Sequence, residues 1–214
     1  MPSDLIFSLR EVDVRFGKKE IFKNLNLNIH RNDLIALVGK NGVGKTTLMK
    51  IIMGTQDLDN GELWSFPNLQ ISYFSQNFEF DLSKTVEEEM MKVVLSGDEK
   101  YKIDIYCDNL NLNKHAPTDS LSGGQKRRIA LAKSLIPDSD IVLMDEPTSA
   151  MDHQSEQELL EALKFWLKGR TAILVTHRGT IMSLVNRVLA VESGRIVADG
   201  PPDQLFKARE KVSS

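Results

Sequence analysis

Residues 39–46 read GKNGVGKT, which is a full match to the pattern G-x-x-x-x-G-K-S/T. An apolar run at residues 34–38 precedes them as a predicted strand, and residues 47–53 follow as a predicted helix, which is the setting that the pattern requires. Glycines let successive backbone N–H groups point at one anion, and the helix adds the positive end of its dipole. The stretch therefore predicts a loop that binds the phosphates of a nucleotide.

Two side chains of this phosphate loop, defined here as residues 39–47, have specific predicted tasks. Lys45 is expected to reach the β- and γ-phosphates, and Thr46 is expected to ligate Mg²⁺. The alternative is a strand-turn-helix that is rich in glycine only for tight packing. The predicted nucleotide contacts of the loop are Gly39, Asn41, Gly42, Gly44, Lys45, Thr46 and Thr47.

Composition excludes several classes of protein. The 214 residues are 41% hydrophobic and 27% charged, which is typical of one globular domain with a sizeable core. The net charge of −3 provides no overall basic field, so sequence-specific nucleic-acid binding is not expected. A single cysteine, Cys107, excludes an internal disulfide and fits a reducing cytosol. Since no apolar run approaches the roughly 20 residues of a membrane span, and no signal peptide is recognisable, a cytoplasmic location is expected.

The first half of the chain has mostly strand patterns. Alternating apolar residues at 5–14 and 21–29 predict a β-hairpin, and short runs at 62–64 and 69–74 predict a small antiparallel sheet. Residues 79–118 change to a helical pattern. Their acidic run, Glu87 to Glu89, is expected at a solvated helix N-terminus.

From residue 122 onward, predicted helices alternate with predicted strands. This alternation is typical of parallel βαβ units, so we expect the α/β class. The predicted helices are 122–136, 154–167 and one that begins at 201, and the predicted strands are 141–144, 172–175, 188–191 and 195–198.

Residues 141–146 are four apolar residues followed by two carboxylates, Asp145 and Glu146. We expect this strand beside the strand that leads into the phosphate loop, so that Asp145 holds Mg²⁺ through water opposite Thr46. Glu146 is then placed to orient and deprotonate the attacking water. The alternative for such a run is a strand followed by a polar loop.

Residues 121–125 read LSGGQ, and in this motif the chain resembles the ATP-binding cassette (ABC) ATPases. The resemblance implies a P-loop NTPase fold of the α/β class, with a mixed central sheet, an antiparallel β subdomain and an inserted α-helical subdomain. It implies a single ABC ATPase domain over residues 1–214. Residues 1–78 and 119–214 would form the catalytic core with the β subdomain, and residues 79–118 the helical subdomain.

The resemblance also implies how ATP is shared. Ser122 and the amides of Gly123 and Gly124 begin a predicted helix, and with Gln125 they would bind the γ-phosphate of a nucleotide held by a facing subunit. The implied partner is a second copy or another cassette, arranged head to tail with ATP between the two.

Four more positions resemble functional residues of the family. Gln76 resembles the glutamine that contacts Mg²⁺ and the water, and His177 resembles the switch histidine at the γ-phosphate. Asp152 lies in a stretch that resembles the loop crossing the dimer interface. Phe16 resembles the aromatic residue that stacks on adenine, although tyrosine is commoner there. The implied cofactors are ATP and Mg²⁺.

The basic run Lys126 to Arg128 has a less specific interpretation. Three basic residues on one helix most often form a solvated face or pair with nearby acids, and contact with RNA is the alternative.

Different parts of the chain resemble different branches of the family. Residues 61–76 and 121–132 resemble the ABC-F proteins, which act on ribosomes, whereas the chain from residue 147 onward resembles exporter cassettes, including those of type I secretion. Residues 149–152 also lack the Asn-His-Leu-Asp typical of ABC-F proteins. Three hypotheses follow. They are a cassette that energises transport by a membrane-spanning partner, a ribosome-acting ABC-F cassette, and a chimera of the two kinds.

Overall fold

The computed structural model describes residues 4–75, 78–94, 96–149 and 151–205. Within these ranges the strands are β1 (Leu5–Phe16), β2 (Lys19–His30), β3 (Leu34–Val38), β4 (Asn60–Ser65), β5 (Ile71–Phe74), β6 (Ile141–Asp145), β7 (Thr171–Val175), β8 (Arg187–Glu192) and β9 (Arg195–Gly200). The α-helices are α1 (Lys45–Ile52), α2 (Val86–Met91), α3 (Tyr101–Asn109), α4 (Gly123–Leu135) and α5 (His153–Trp166).

A six-stranded mixed sheet forms the centre of the structure. Its order is β5-β6-β7-β3-β8-β9, and only β9 runs antiparallel to its neighbour. The expectation that β6 lies beside β3 is wrong, because β7 lies between them. Val175 of β7 is in register with both Leu37 and Asp145, so the carboxyl ends of β3, β7 and β6 meet at one edge. The acidic pair therefore still emerges on the side of the phosphate loop.

A separate antiparallel sheet has the order β2-β1-β4. The predicted hairpin is confirmed, since β1 and β2 pair antiparallel. The prediction that residues 62–64 and 69–74 pair with each other is wrong. β4 pairs with β1, whereas β5 pairs with β6 in the central sheet. Two hydrogen bonds join the residues just before β5 and β6: the Asp140 carboxylate accepts from the N–H of Gln70 at 2.9 Å, and the N–H of Asp140 donates to the Gln70 carbonyl at 2.8 Å.

The central strands are buried on both faces. In β6, Ile141 and Leu143 pack with residues of β1, β2 and α1, whereas Val142 and Met144 pack with residues of α2 to α5. The exposed fraction of all four side chains is 0%. Because both faces of β6 are buried, its sequence is continuously apolar and does not alternate between apolar and polar residues. The mixed sheet thus lies between the antiparallel sheet and a helical layer, and the predicted fold class is confirmed.

Residues 79–118 contain α2 and α3, so the predicted helical character is confirmed. Thr85 begins α2 with a capping box, in which its hydroxyl accepts from the N–H of Glu88 and the Glu88 carboxylate accepts from the N–H of Thr85. Among the described residues, no helix has the length and apolar character that crossing a membrane requires.

Glu89 corrects the expectation of a solvated acidic run. Its exposed fraction is 0%, because it lies three residues after Val86 on the face of α2 that turns inward. Its carboxylate accepts from the Nζ of Lys133 on α4 at 2.8 Å, from the N–H of Asp81 at 3.0 Å, and from Lys92. Glu89 therefore ties α2 to α4.

Replacing Glu89 with glutamine is expected to lower the free energy of unfolding by about 1–3 kcal/mol at neutral pH, because two lysines lose their anion. Burial disfavours the charged carboxylate, but hydrogen bonds from Lys133, Lys92 and Asp81 outweigh it, so the pKa of Glu89 lies below its usual value. A lowered pKa in the folded state means that the carboxylate stabilises the fold above its unfolded pKa of roughly 4.3. That stabilisation is lost as the pH falls through the folded pKa.

Urea unfolding of the Glu89→Gln variant at pH 7 and at pH 4 measures both effects. The matched control is Glu161→Gln, which removes an exposed partner of Lys164 on α5 and is expected to cost less than about 0.5 kcal/mol. Equal losses in the two variants, or a deficit for Glu89→Gln that grows as the pH falls, would contradict this account.

Candidate nucleotide-binding site

A cavity of about 410 Å³ lies at the carboxyl edge of the central sheet. It brings together most of the predicted loop residues, both acids and the predicted switch histidine. The lining residues are Ile21, Asn41, Gly42, Gly44, Lys45, Thr46, Thr47, Asp145, Glu146, Val175 and His177. A larger polar groove of about 1020 Å³ lies over β1, β2 and β4, but the described residues that line it include none of the predicted site residues.

The backbone of the phosphate loop requires glycine at several positions. Gly42 and Gly44 have φ angles of 79° and 111°, in the left-handed region that other residues rarely adopt. A Cβ on Gly44 would lie 2.7 Å from the Cζ of Phe22, and a Cβ on Gly39 would collide with the carbonyl oxygen of Val191. The loop therefore forms a cradle, defined here as residues 39–44, whose backbone conformation a side chain at residue 39 or 44 would disrupt.

Lys45 begins α1 and is 7% exposed. Its Nζ donates to the carbonyl oxygens of Gly39 at 2.7 Å and Lys40 at 3.0 Å. Burial lowers the pKa of Lys45, and the carboxylates of Glu146 and Asp145 raise it again in part. The cation is thus held inside the loop, facing the two acids.

Asp145 is the last residue of β6 and is 9% exposed. Burial raises the pKa of its carboxyl group, against the lowering effects of Lys45 and of a hydrogen bond from the Tyr73 hydroxyl. Tyr73 lies on the neighbouring strand β5 and was not predicted as a site residue. Only the position of β5 beside β6, which the sequence did not predict, would have indicated it.

Glu146 and His177 come from the ends of adjacent strands. The Nε2 of His177 lies 3.4 Å from the Oε1 of Glu146. The N–H of Glu146 donates to the carbonyl of Val175 at 3.0 Å, and its φ of 51° turns the chain out of β6. A carboxylate and an imidazole in this arrangement can orient water and take up its proton.

The LSGGQ motif caps α4. The Ser122 hydroxyl accepts from the N–H of Gln125 at 3.2 Å, and the Gln125 side chain accepts from the N–H of Ser122 at 3.0 Å. Ser122, Gly123 and Gly124 are exposed. None of these four is among the described residues that line the cavity, so the chain does not bring its own LSGGQ motif to its own phosphate loop.

Phe16 and Asp152, two further predicted contacts, are not among the described residues that line the cavity. Phe16 ends β1 with a ring that is 51% exposed. The Asp152 carboxylate caps α5, accepting from the N–H of Ser155 at 2.9 Å and from its hydroxyl at 2.8 Å. Gln76 lies outside the described residues. The functional roles of these three residues stay predictions.

Arg127 corrects the expectation of a solvated basic face. It is 8% exposed and donates to the carbonyl of Pro147 at 2.8 Å, to the hydroxyl of Ser149 at 2.7 Å and to the carbonyl of Glu146. The sequence did contain a signal, because Arg127 precedes the buried Leu131 by four residues on the inward stripe of α4. Arg128, by contrast, pairs with Glu158 at 2.7 Å, as expected for such a run.

Comparisons with known proteins agree with this geometry. The sequence model of the ABC transporter family matches residues 22–149. The macrolide export ATP-binding/permease protein MacB of Pasteurella multocida is 32% identical over 238 residues, an alignment that covers 97% of this chain and 36% of that protein. ABC transporter F family member 5 of Arabidopsis thaliana is 36% identical over 203 residues, covering 88% of this chain and 28% of that protein.

Among solved structures, CbiO1 from Clostridium perfringens, described as part of the ABC transporter complex CbiONQ, has a TM-score of 0.81 and 25% identity. The match covers 98% of this chain and 94% of that one.

The exporter and ABC-F relatives each align with most of this chain, so neither resemblance is confined to one half and a chimera is not evidenced. The chain spans less than half of either protein's length. From the match over residues 22–149 and the shared fold, the chain belongs to the ABC transporter family, as a P-loop ATPase domain.

Proposed function

We propose that this domain binds Mg²⁺-ATP between two copies of itself, hydrolyses it, and thereby energises transport by a membrane-spanning partner. The observation that carries the dimer is the position of LSGGQ. The cavity is lined by most of the predicted phosphate-loop residues, both acids and the histidine, while Ser122 and the two glycines after it are exposed and are not among its lining residues. A second copy, placed head to tail, would supply the missing half of each site.

Binding would rest on the glycine cradle and on Lys45. Glycine at residues 39 and 44 lets the cradle keep its backbone conformation, and the buried ammonium offers a positive charge that phosphate would take over from the carbonyls of Gly39 and Lys40. Phe16, exposed at the end of β1, would stack on the adenine.

The residues present also fit a magnesium ion. Thr46 and Asp145 both line the cavity and offer oxygen donors, which is the ligand type that Mg²⁺ prefers, and Gln76 is the third proposed ligand. When bound with ATP, the ion would neutralise charge on the phosphates. Tyr73 would orient the Asp145 carboxylate through its hydrogen bond.

Hydrolysis would depend on the pair at the end of β6 and β7. Glu146 would accept a proton from the attacking water, and His177, at 3.4 Å, would hold that carboxylate and contact the γ-phosphate. Positioning and charge neutralisation carry most of the catalysis in phosphoryl transfer, so the placement of both side chains matters in addition to the proton that Glu146 would accept.

The proposal of a transport role is supported by the relatives. MacB is an export ATP-binding/permease protein, and CbiO1 is part of a transporter complex. Under this proposal the domain acts at the cytoplasmic face of a membrane through its partner, and residues 79–118 form a helical subdomain. The second candidate, a ribosome-acting cassette, is favoured by the ABC-F relative. Sedimentation with ribosomes and a non-hydrolysable ATP analogue separates the two, because only the ABC-F role predicts a ribosome-bound fraction.

Mixing two inactive variants tests the shared site. Lys45→Met disables the phosphate loop, and Ser122→Asp places a negative charge where the γ-phosphate would lie while keeping a good N-cap for α4. In a mixed dimer, one site combines an intact loop with an intact Ser122. The equal mixture is therefore expected to recover up to about a quarter of wild-type steady-state activity, since half of the dimers are mixed and each has one intact site.

The control is Ser122→Asn, which has nearly the same shape as Ser122→Asp and also caps α4, but carries no charge. It is expected to hydrolyse ATP faster than Ser122→Asp. No recovery on mixing, with each variant folded by circular dichroism, would contradict the shared site.

A further inference from the structure

Arg127 occupies an unusual position between the LSGGQ motif and the catalytic edge of the sheet. It lies two residues after Gln125 in the first turns of α4, yet its guanidinium is almost completely buried. The Cζ of Arg127 lies over the ring of Phe74 on β5, 5.4 Å from its centroid. Burial lowers the pKa of Arg127, and the negative charge of Glu146 opposes that effect. One side chain therefore joins α4, β5 and the turn that follows β6.

The acceptors of Arg127 all belong to that turn. Its Nε donates to the carbonyl of Pro147 at 2.8 Å, and its Nη2 donates to the carbonyl of Glu146 and to the Ser149 hydroxyl at 2.7 Å. The forked guanidinium reaches these acceptors from two separate nitrogens, Nε and Nη2, whereas the ammonium of lysine would have to donate from one nitrogen.

The backbone of Glu146 is the strained point of the turn. Its φ of 51° is in the left-handed region, where a residue with a Cβ persists only if its surroundings hold it. The N–H of Glu146 is held by Val175, and its carbonyl is held by Arg127 and by the N–H of Ser149 at 3.1 Å. Since the backbone angle decides where the carboxylate points, Arg127 acts on the direction of that carboxylate.

We propose that Arg127 is a positioning residue that aims the Glu146 carboxylate and couples it to the helix that begins at Ser122. This inference rests on the proposed function, in which Glu146 is the base and Ser122 contacts the nucleotide of the facing copy. When Ser122 contacts the nucleotide held by the facing copy, α4 and Arg127 would pass that contact on to the orientation of Glu146 in the chain's own site.

The test compares Arg127→Met and Arg127→Lys with the matched control Arg128→Met, which removes a neighbouring guanidinium that binds Glu158 and the carbonyl of Leu110. Arg127→Met is expected to lower kcat about 10- to 100-fold, because a small misplacement of a reacting group costs that much. The Kd of a non-hydrolysable ATP analogue, measured by calorimetry, is expected to change less than about threefold. Arg127→Lys is expected to recover part of kcat, and Arg128→Met to keep it.

A double-mutant cycle gives the decisive readout. In a Glu146→Gln background, single-turnover hydrolysis is expected to show no further loss from Arg127→Met, because the carboxylate that Arg127 aims is already gone. A wild-type kcat in Arg127→Met, or an equal fold-loss in both backgrounds, would overturn the positioning role. Should Arg127→Met fail to fold, the loss caused by Arg127→Lys is compared in the wild-type and Glu146→Gln backgrounds instead. If Glu146→Gln alone hydrolyses at the wild-type rate, the assignment of the base fails instead.

Discussion

Replacing Glu146 with glutamine is expected to lower the kcat of ATP hydrolysis by about 10²- to 10⁴-fold while leaving ATP affinity nearly unchanged. Glutamine keeps the size of the side chain and its place beside His177, whose Nε2 lies 3.4 Å from the Oε1 of Glu146 in the structure. It cannot accept a proton from water, so the loss falls on the chemical step. Steady-state ATPase assays with calorimetric binding of ATP measure the two quantities separately.

The same variant is expected to accumulate as an ATP-bound dimer, because hydrolysis is what would release the two copies. Size-exclusion chromatography with Mg²⁺-ATP detects this as a shift to the dimer volume that the wild type does not hold. The control is Glu192→Gln, an exposed residue at the end of β8, which is expected to behave as wild type. Wild-type turnover in Glu146→Gln would rule out Glu146 as the base.

Gly44→Ala is expected to weaken ATP binding by roughly 30- to 1000-fold, which corresponds to about 2–4 kcal/mol of backbone strain and overpacking. The φ of 111° disfavours alanine, and the added Cβ would lie 2.7 Å from the Phe22 ring, so the loop must shift. Because Lys45 follows directly, any shift also moves the ammonium away from the phosphates. Calorimetric titration with ATP measures the change in Kd.

Gly54→Ala is the matched control for this substitution. Gly54 has a φ of 70°, just after α1, but an added Cβ would meet no atom within 4 Å. It should therefore lower the free energy of unfolding by about 1 kcal/mol without changing the Kd for ATP. Equal effects of the two substitutions on ATP binding would mean that strain alone, and not the shape of the cradle, decides affinity.

The local pattern of apolar residues predicted most of the strands and helices, but it did not predict the order of the strands in the sheets. The run at residues 141–144 and the alternation in β1 and β2 indicated strands correctly. Nothing local indicates that β7 separates β3 from β6, or that β5 leaves β4 for the central sheet, because strand neighbours are chosen by tertiary packing. These two errors share that cause.

Within the site, the charged residues that line the cavity could be predicted because they lie in sequence motifs whose chemistry is known. Lys45, Asp145 and Glu146 all line it. The predictions for Arg127 and Glu89 were wrong, since runs of like charge most often face solvent. Burial of Arg127 is favourable only because it contacts the turn after β6, and burial of Glu89 only because it contacts α4. Their partners, Pro147 and Lys133, are distant in sequence.

The position of β3 has a consequence for how the chain matures. Both of its sheet neighbours, β7 at Thr171–Val175 and β8 at Arg187–Glu192, are made long after it. During synthesis on the ribosome, the strand that leads into the phosphate loop therefore lacks its native sheet neighbours until residues 171–192 have emerged. Such distant pairings close large loops and slow folding. β3, which leads into the nucleotide cradle, can therefore complete its sheet pairing only after β8 has been made.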